Sequence, residues 1–273
     1  MTEAVLALLF GLIVGSFLNV CIHRWPRDLS VVRPRSRCPL CEHPIAWYDN
    51  LPLVSFAVLG GRCRHCRGRI SWRYPLVEFL TGALFFVYLL TFGPTLAALK
   101  FCLFAALMVG LMFADLEERI LPDELTLGGV AAGLLFSWFV PVDDLTGRAL
   151  LWFAGLEPGA RVASLAESVA GAALPALFLW LGGWLFKKIR HKEGLGLGDV
   201  KLIAMAGAFL GVEGALLTMI LGSVAGAVLG YSFIFATKKD AATYELPFGT
   251  FLGAAGIAVT LGGSRMLAWY LAR

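Results

Sequence analysis

Charge is what this sequence has least of. Only 15% of its 273 residues are Asp, Glu, Lys or Arg, where a soluble globular domain carries roughly 25%. Histidine is nearly as scarce, with four in the chain and none inside a membrane-length apolar run. No Gly-x-Ser-x-Gly elbow and no His-Glu-x-x-His pair occurs, which excludes the common serine-hydrolase and zinc-protease arrangements. A Rossmann-type glycine fingerprint is missing too, so no nucleotide-like site follows from motif physics. Low-complexity tracts and internal repeats are also absent.

What fills the space is hydrocarbon. Hydrophobic residues make up 59% of the chain, in several stretches of about 20, each long enough to cross ~30 Å of bilayer as a helix. The fold class predicted is an all-α polytopic membrane protein. Eight spans are expected, near 4–22, 75–92, 96–115, 125–140, 165–186, 200–211, 213–235 and 248–268, with a tight turn between the sixth and seventh. The first run has only Glu3 ahead of it, no small-residue cleavage site after it, and Arg24 and Arg27 behind it. This pattern predicts a retained helix with its N-terminus outside, not a cleaved signal peptide. Four connections then face the cytoplasm, 23–74, 116–124, 187–199 and 236–247, and they hold 17 of the 23 basic residues. That is the expected positive-inside bias. The connection 142–164, with Asp143, Asp144 and Glu157, falls outside.

The 23–74 segment is the only sizeable soluble piece. It carries Cys38-Pro-Leu-Cys41 and, after 21 residues, Cys63-Arg-His-Cys66. Two such knuckles can close a tetrahedral thiolate site, and in a reducing cytosol zinc is favoured over disulfides. Four thiolates leave no open position, so the zinc is read as structural, stabilising a loop too small to build its own core. His23, His43 and His65 are spare candidates for the ligand set. Cys21 and Cys102 lie in apolar helices and read as small core residues. Ten arginines in this loop face only Asp28, Glu42 and Asp49. Zinc ribbons can bind nucleic acid, but here the arginines are assigned to anionic lipid headgroups, with no nucleic-acid partner.

Two aspartates stand out because a carboxylate beside a membrane helix is costly. Asp115 ends a continuous apolar run, where the negative end of its own helix disfavours it. Asp199 follows the glycines of "GLGLGDVKL" at the start of the sixth span. The topology puts both on one side of the membrane although 84 residues separate them. Two carboxylates sharing a site cannot both ionise easily, and such a pair activates water against a peptide carbonyl. Helix-end electrostatics would put the shared proton on Asp115. Asp123, after Pro122, reads as a helix-start acid. An ion-coupled transporter with proton-carrying aspartates and a thiol–disulfide enzyme are the competing classes.

The motifs in order resemble those of the type IV prepilin peptidases, bifunctional leader peptidases and N-methyltransferases. The resemblance is carried by "GLIVGSFLNVCIHRWP", the tetracysteine loop, "DLEERILPDELTL", "GLGLGDVKL" and "LPFGTFLG", nearly end to end. It implies three parts: a first helix (1–22), a methyltransferase-associated zinc loop (23–74) and an aspartyl peptidase domain (75–273). It implies catalysis by Asp115 and Asp199, with Gly196, Gly198, Lys201 and Glu78 in support, Lys201 as a possible counter-charge to the pair. The metal ligands implied are Cys38, Cys41, Cys63 and Cys66. Prepilins or pseudopilins of pili or type II secretion would be cut on the cytoplasmic side after Gly, then N-methylated from S-adenosylmethionine. Gly61 and Arg62 match the region tied to methyl transfer. The location implied is the bacterial inner membrane. Departures are Ala114 where isoleucine is common, Glu118-Arg119 in a variable spot, and Thr250 where proline usually follows Pro-Phe-Gly.

Overall fold

The computed structural model describes residues 1–142, 144, 146–155, 159–192, 194–238 and 246–271, with only the helical course given for 264–271. Asp143, Glu157 and Lys239, which entered the topology argument, lie outside the described residues. The helices are α1 (Thr2–Arg24), α2 (Val54–Val58), α3 (Arg73–Phe92), α4 (Leu96–Glu118), α5 (Asp123–Ser137), α6 (Thr146–Phe153), α7 (Ala160–Arg190), α8 (Leu197–Ala225), α9 (Tyr231–Thr237) and α10 (Phe248–Leu271). A π-helical turn, Gly226–Gly230, joins α8 to α9. No strand occurs among the described residues. The protein is all-helical and membrane-embedded in character.

Five helical stretches are long and apolar enough to cross a bilayer among the described residues: Thr2–Arg27, Arg73–Phe92, Leu96–Glu118, Ala160–Arg190 and Leu197–Thr237. The expected count of eight is therefore not confirmed, for two physical reasons. Helix α5 and the described apolar part of α10, Phe248–Gly263, are short. The sixth and seventh expected spans are merged into one stretch, interrupted only at Gly211, where φ is 78° and ψ is −175°. That conformation is open to glycine and strained for any other residue.

Gly211 is a reversal, as the neighbours of the two legs show. At its start, Gly198 packs on Leu121, and Gly249 of α10 packs on the same Leu121. At the far end of the second leg, Gly226 packs on Phe248 and Gly230 on Leu246. Both outer ends of α8–α9 thus lie together, and the chain must turn back at Gly211. Asp144 secures the turn: its Oδ2 accepts the Glu213 N–H at 3.0 Å, and its Oδ1 accepts Thr146 N–H at 3.2 Å and Thr146 Oγ1–H at 3.1 Å. Glu167 on α7, fully buried, accepts N–H groups of Gly147 and Arg148 at 2.7 and 2.8 Å. It thereby satisfies the otherwise open first turn of α6, a helix not expected from sequence. These two buried acids have structural duties.

The chain divides into two compact units, Met1–Phe113 and Ala114–Arg273. In the first, α1 lies against α3 through small residues. A Cβ added at Gly11 would sit 2.8 Å from Gly82 Cα, and one at Gly15 would sit 2.7 Å from Glu78 Cα. Gly11 and Gly15 are four apart, the spacing that lets membrane helices pack backbone to backbone. In the second unit, α7 and α8 meet at Gly171 and Gly207, whose backbones touch, and Ser168 Oγ donates to the Ala208 carbonyl at 2.6 Å. A valine at 207 would drive its side chain into the Gly171 carbonyl. Gly207→Val should destabilise the protein at the upper end of the ~1–3 kcal/mol typical of overpacking. Thermal melting in detergent checks this, and an unchanged midpoint would contradict the contact.

Candidate active site and metal centre

The thiolate centre belongs to the first unit. Each knuckle is closed by the same pair of backbone bonds: Glu42 N–H to Cys38 O (2.8 Å) with Cys38 N–H to His43 O (3.0 Å), and Arg67 N–H to Cys63 O (3.0 Å) with Cys63 N–H to Gly68 O (2.8 Å). The residue after each second cysteine, Glu42 or Arg67, has positive φ. This repeated geometry turns all four Sγ atoms inward, within 4.8 Å of one another. Cys38 and Cys66 Sγ lie 3.8 Å apart. A tetrahedral zinc with Zn–S near ~2.3 Å needs sulfurs about 3.8 Å apart, so the donor set fits zinc. Backbone N–H groups of Cys66 and His65 hold the Cys63 thiol down to about 7, while at Cys41 the His43 N–H is outweighed by desolvation and the crowded thiols of Cys38, Cys66 and Cys63, which push it up to about 11. His43 and His65 stack on each other, with centroids 3.5 Å apart.

The rest of the loop is braced around this centre. Arg64 grips Asp49 with two parallel bonds, Nε–Oδ2 at 2.8 Å and Nη2–Oδ1 at 2.6 Å, which holds the Asp49 carboxyl below its usual range. Glu78 of α3 accepts the N–H of Leu53 at 2.9 Å, where Leu53 has a φ of 58°. Glu78 therefore anchors the loop to its helix. Gly61 has a φ of 67° and packs on Phe56, and Arg62 forms an isolated bridge with Arg69. A positive φ calls for glycine at Gly61 on its own account.

The aspartates belong to the second unit. Asp115 is buried near the C-terminal end of α4, at 6% exposure. Arg119, in left-handed conformation, ends that helix and returns its Nη1 to the Asp115 carbonyl at 3.0 Å. Asp199 stands half-buried in the first turn of α8, next to Gly198. Leu121 lies between the elements that carry them. A Cβ at Gly198 would meet it at 3.1 Å, and one at Gly249 would meet it at 3.0 Å and Asp115 Cγ at 3.3 Å.

Asp115 has a further partner that sequence reasoning missed. Thr250, in the first turn of α10, donates both its N–H (2.8 Å) and its hydroxyl (3.1 Å) to Asp115 Oδ2. The carboxylate thus sits at the positive end of α10, where first-turn N–H groups lack helical acceptors. The helix-end argument for the shared proton weighed the ends of α4 and α8 and left out α10. Because Oδ2 is taken by donors, a proton on Asp115 has to be carried at Oδ1. Thr250 drew notice in the sequence only as a departure after Pro-Phe-Gly, and nothing there tied it to an aspartate 135 residues away.

The glycines before Asp199 serve space and not unusual backbone angles. None of Gly194, Gly196 and Gly198 has positive φ, and Gly196 is an extended helix-start residue. Their missing Cβ atoms allow close contacts: Gly194 with Phe186 and Gly198 with Leu121. A Cβ at Gly196 would lie 3.5 Å from Asp199 Oδ2. Lys201 forms an ion pair with Asp123 at 2.6 Å, joining α8 to the start of α5. The two side chains are 35% and 56% exposed, and such pairs contribute ~0–1 kcal/mol. Lys201→Met should accordingly shift the melting midpoint little; a large drop would assign the lysine a buried role.

Comparisons with known proteins agree with this architecture. Residues 9–92 match the bacterial peptidase A24 N-terminal domain, and residues 102–231 match the type IV leader peptidase family. A prepilin leader peptidase/N-methyltransferase of Aeromonas salmonicida is 38% identical over 97% of this chain and 93% of its own length. The chain belongs to the type IV leader peptidase family. Other members of the type IV leader peptidase family bearing that name are similar across much of the chain. The protein from Myxococcus xanthus is 41% identical over 86% of the chain and 64% of the relative. The one from Pseudomonas aeruginosa is 35% identical over 97% and 92%. No solved structure matches.

Proposed function

We propose that this protein removes the short basic leader from type IV prepilins or pseudopilins and methylates the N-terminus it exposes, using S-adenosylmethionine. The observation that supports the cleavage reading is the approach of two carboxylates, Asp115 and Asp199, from helix ends 84 residues apart. A coupled pair of this kind holds one proton between two groups. The ionised member takes a proton from water as the water attacks the carbonyl carbon of the Gly that ends the leader. The protonated member gives its proton to the carbonyl oxygen; the proton taken from water then goes to the leaving nitrogen as the C–N bond breaks, and the hydroxyl proton returns to the pair as the new carboxyl group forms. On Asp115 that exchange uses Oδ1, since Thr250 occupies Oδ2. A proton-coupled transporter would share the aspartates, but family membership and the relatives' names favour the peptidase.

In this reading the enzyme is a multi-pass protein of the bacterial inner membrane, with its N-terminus outside and the aspartates facing the cytoplasm. Asp115 and Asp199 then stand where a pilin helix leaves the membrane, and Glu117, Glu118 and Asp123 are available to the basic leader. Zinc held by Cys38, Cys41, Cys63 and Cys66 closes the loop fold. Arginines of the loop meet anionic lipid headgroups. The test is reconstitution in nanodiscs with a prepilin and S-adenosylmethionine, followed by mass spectrometry of the product. Loss of the leader with gain of one methylene is the expected result. An uncut prepilin would overturn the peptidase assignment, and a cut but unmethylated one would remove the second activity alone.

A further inference from the structure

Asp115 is almost fully buried, yet one of its oxygens is supplied with two donors by a single residue. Thr250 gives Oδ2 its N–H at 2.8 Å and its hydroxyl at 3.1 Å. The same N–H also reaches the Pro247 carbonyl at 3.2 Å, so the turn that opens α10 is itself held by the residue that holds the carboxylate. Gly249 makes the approach possible, because a Cβ there would press on Asp115 Cγ at 3.3 Å and on Leu121 at 3.0 Å. Two adjacent residues therefore set where this carboxyl group lies: one by donating, one by leaving room.

We propose that Thr250, seated by Gly249, is a positioning residue for the cleavage reaction: it clamps Oδ2 of Asp115 and leaves Oδ1 as the oxygen that exchanges the proton. The proposal rests on the reading of Asp115 as half of the acid–base pair. A two-point clamp fixes the rotation of the carboxyl group about its Cβ–Cγ bond, which a single donor does not. Proton transfer needs heavy-atom separations within hydrogen-bond reach, so a carboxyl free to rotate spends less time in a productive pose. The residue acts through Asp115 and binds no substrate. Its removal should therefore lower kcat and leave KM where it was.

The experiment uses the full-length enzyme in nanodiscs with a prepilin substrate, reading kcat and KM per folded molecule, with melting midpoints in parallel. Thr250→Val keeps shape and N–H but loses the hydroxyl, and kcat should fall on the order of ten-fold, the loss expected for a hydrogen bond to a charged group. Thr250→Ser keeps both donors and should restore most of that rate. Gly249→Ala pushes the carboxylate without touching a donor and should also lower kcat at constant KM. If Thr250→Val fails to fold, Thr250→Ala, which only removes atoms, takes its place. Full rate in the valine variant, equal damage in the serine variant, or a change confined to KM would each overturn the proposal. Asp115→Asn in the same preparation separates the levels. Normal cleavage by that variant sinks the aspartate reading together with this one. An inactive asparagine variant beside a fully active valine variant sinks only the clamp.

Discussion

Asp115→Asn and Asp199→Asn each lower leader removal by about a hundred-fold to ten-thousand-fold, the range over which a positioned acid or base contributes to a rate. The asparagine substitution is the informative one because of what surrounds Asp115. Its carboxylate receives both the N–H and the hydroxyl of Thr250 at the start of α10, so a truncation to alanine would remove both of those bonds as well as the acid. Asparagine keeps a carbonyl oxygen for Thr250 and a nearly identical shape, and gives up only the ability to take and return a proton. At Asp199, in the first turn of α8, it likewise keeps the shape and loses the charge. The measurement is the ratio of mature to unprocessed pilin over time, with melting midpoints to show that both variants fold. Near-normal processing by either variant would defeat the two-aspartate reading. A transporter would behave differently, losing proton-linked flux in the same variants with no effect on any pilin.

What could be read directly from the sequence were the features that residue type and spacing determine locally. Four cysteines in two short knuckles have few alternatives, and the knuckle backbone brings the sulfurs to within 4.8 Å as that spacing requires. Asp115 and Asp199 were visible because charge is so rare in this chain that each acid at the end of an apolar run demands a reason. The tight turn between the sixth and seventh expected spans was visible too, and its physical basis is one glycine, Gly211, at φ 78°. Tertiary partnerships were not visible. Asp115 looked like a residue without capping work because only its own helix was in view, whereas the helix it caps begins more than a hundred residues later. Helix α6 escaped notice because its N-terminus is satisfied by Glu167 from another helix. The glycines before Asp199 read only as support for the aspartate, and their close packing against Phe186 and Leu121 was not visible. Each of these misses concerns a contact whose other half is distant in the chain.

The second large effect concerns the thiolate centre. Cys38→Ser with Cys41→Ser removes half of the donor set, and the purified variant should come away without stoichiometric zinc, as measured by elemental analysis after dialysis against a chelator. Structural zinc sites in small peptides contribute roughly 10–16 kcal/mol of apparent binding energy, whereas the direct contacts between the two knuckles are small ones, the His43–His65 ring pair and Gly68 against Leu40, with the Arg64–Asp49 pair bracing the loop beside them. In that pair the Arg64 side chain is 53% exposed and the Asp49 side chain 11%, and an ion pair with an exposed partner cannot replace four thiolate bonds. Without zinc the loop should open at its arginines, so limited trypsin digestion becomes the second readout, cutting between 35 and 69 in the variant and not in the parent. The aspartates lie in the other compact unit, so leader removal should fall less than methylation of the new N-terminus. Full zinc content in the double variant would refute the site. Equal loss of both activities would show that the zinc loop supports the whole enzyme and has no particular tie to methyl transfer.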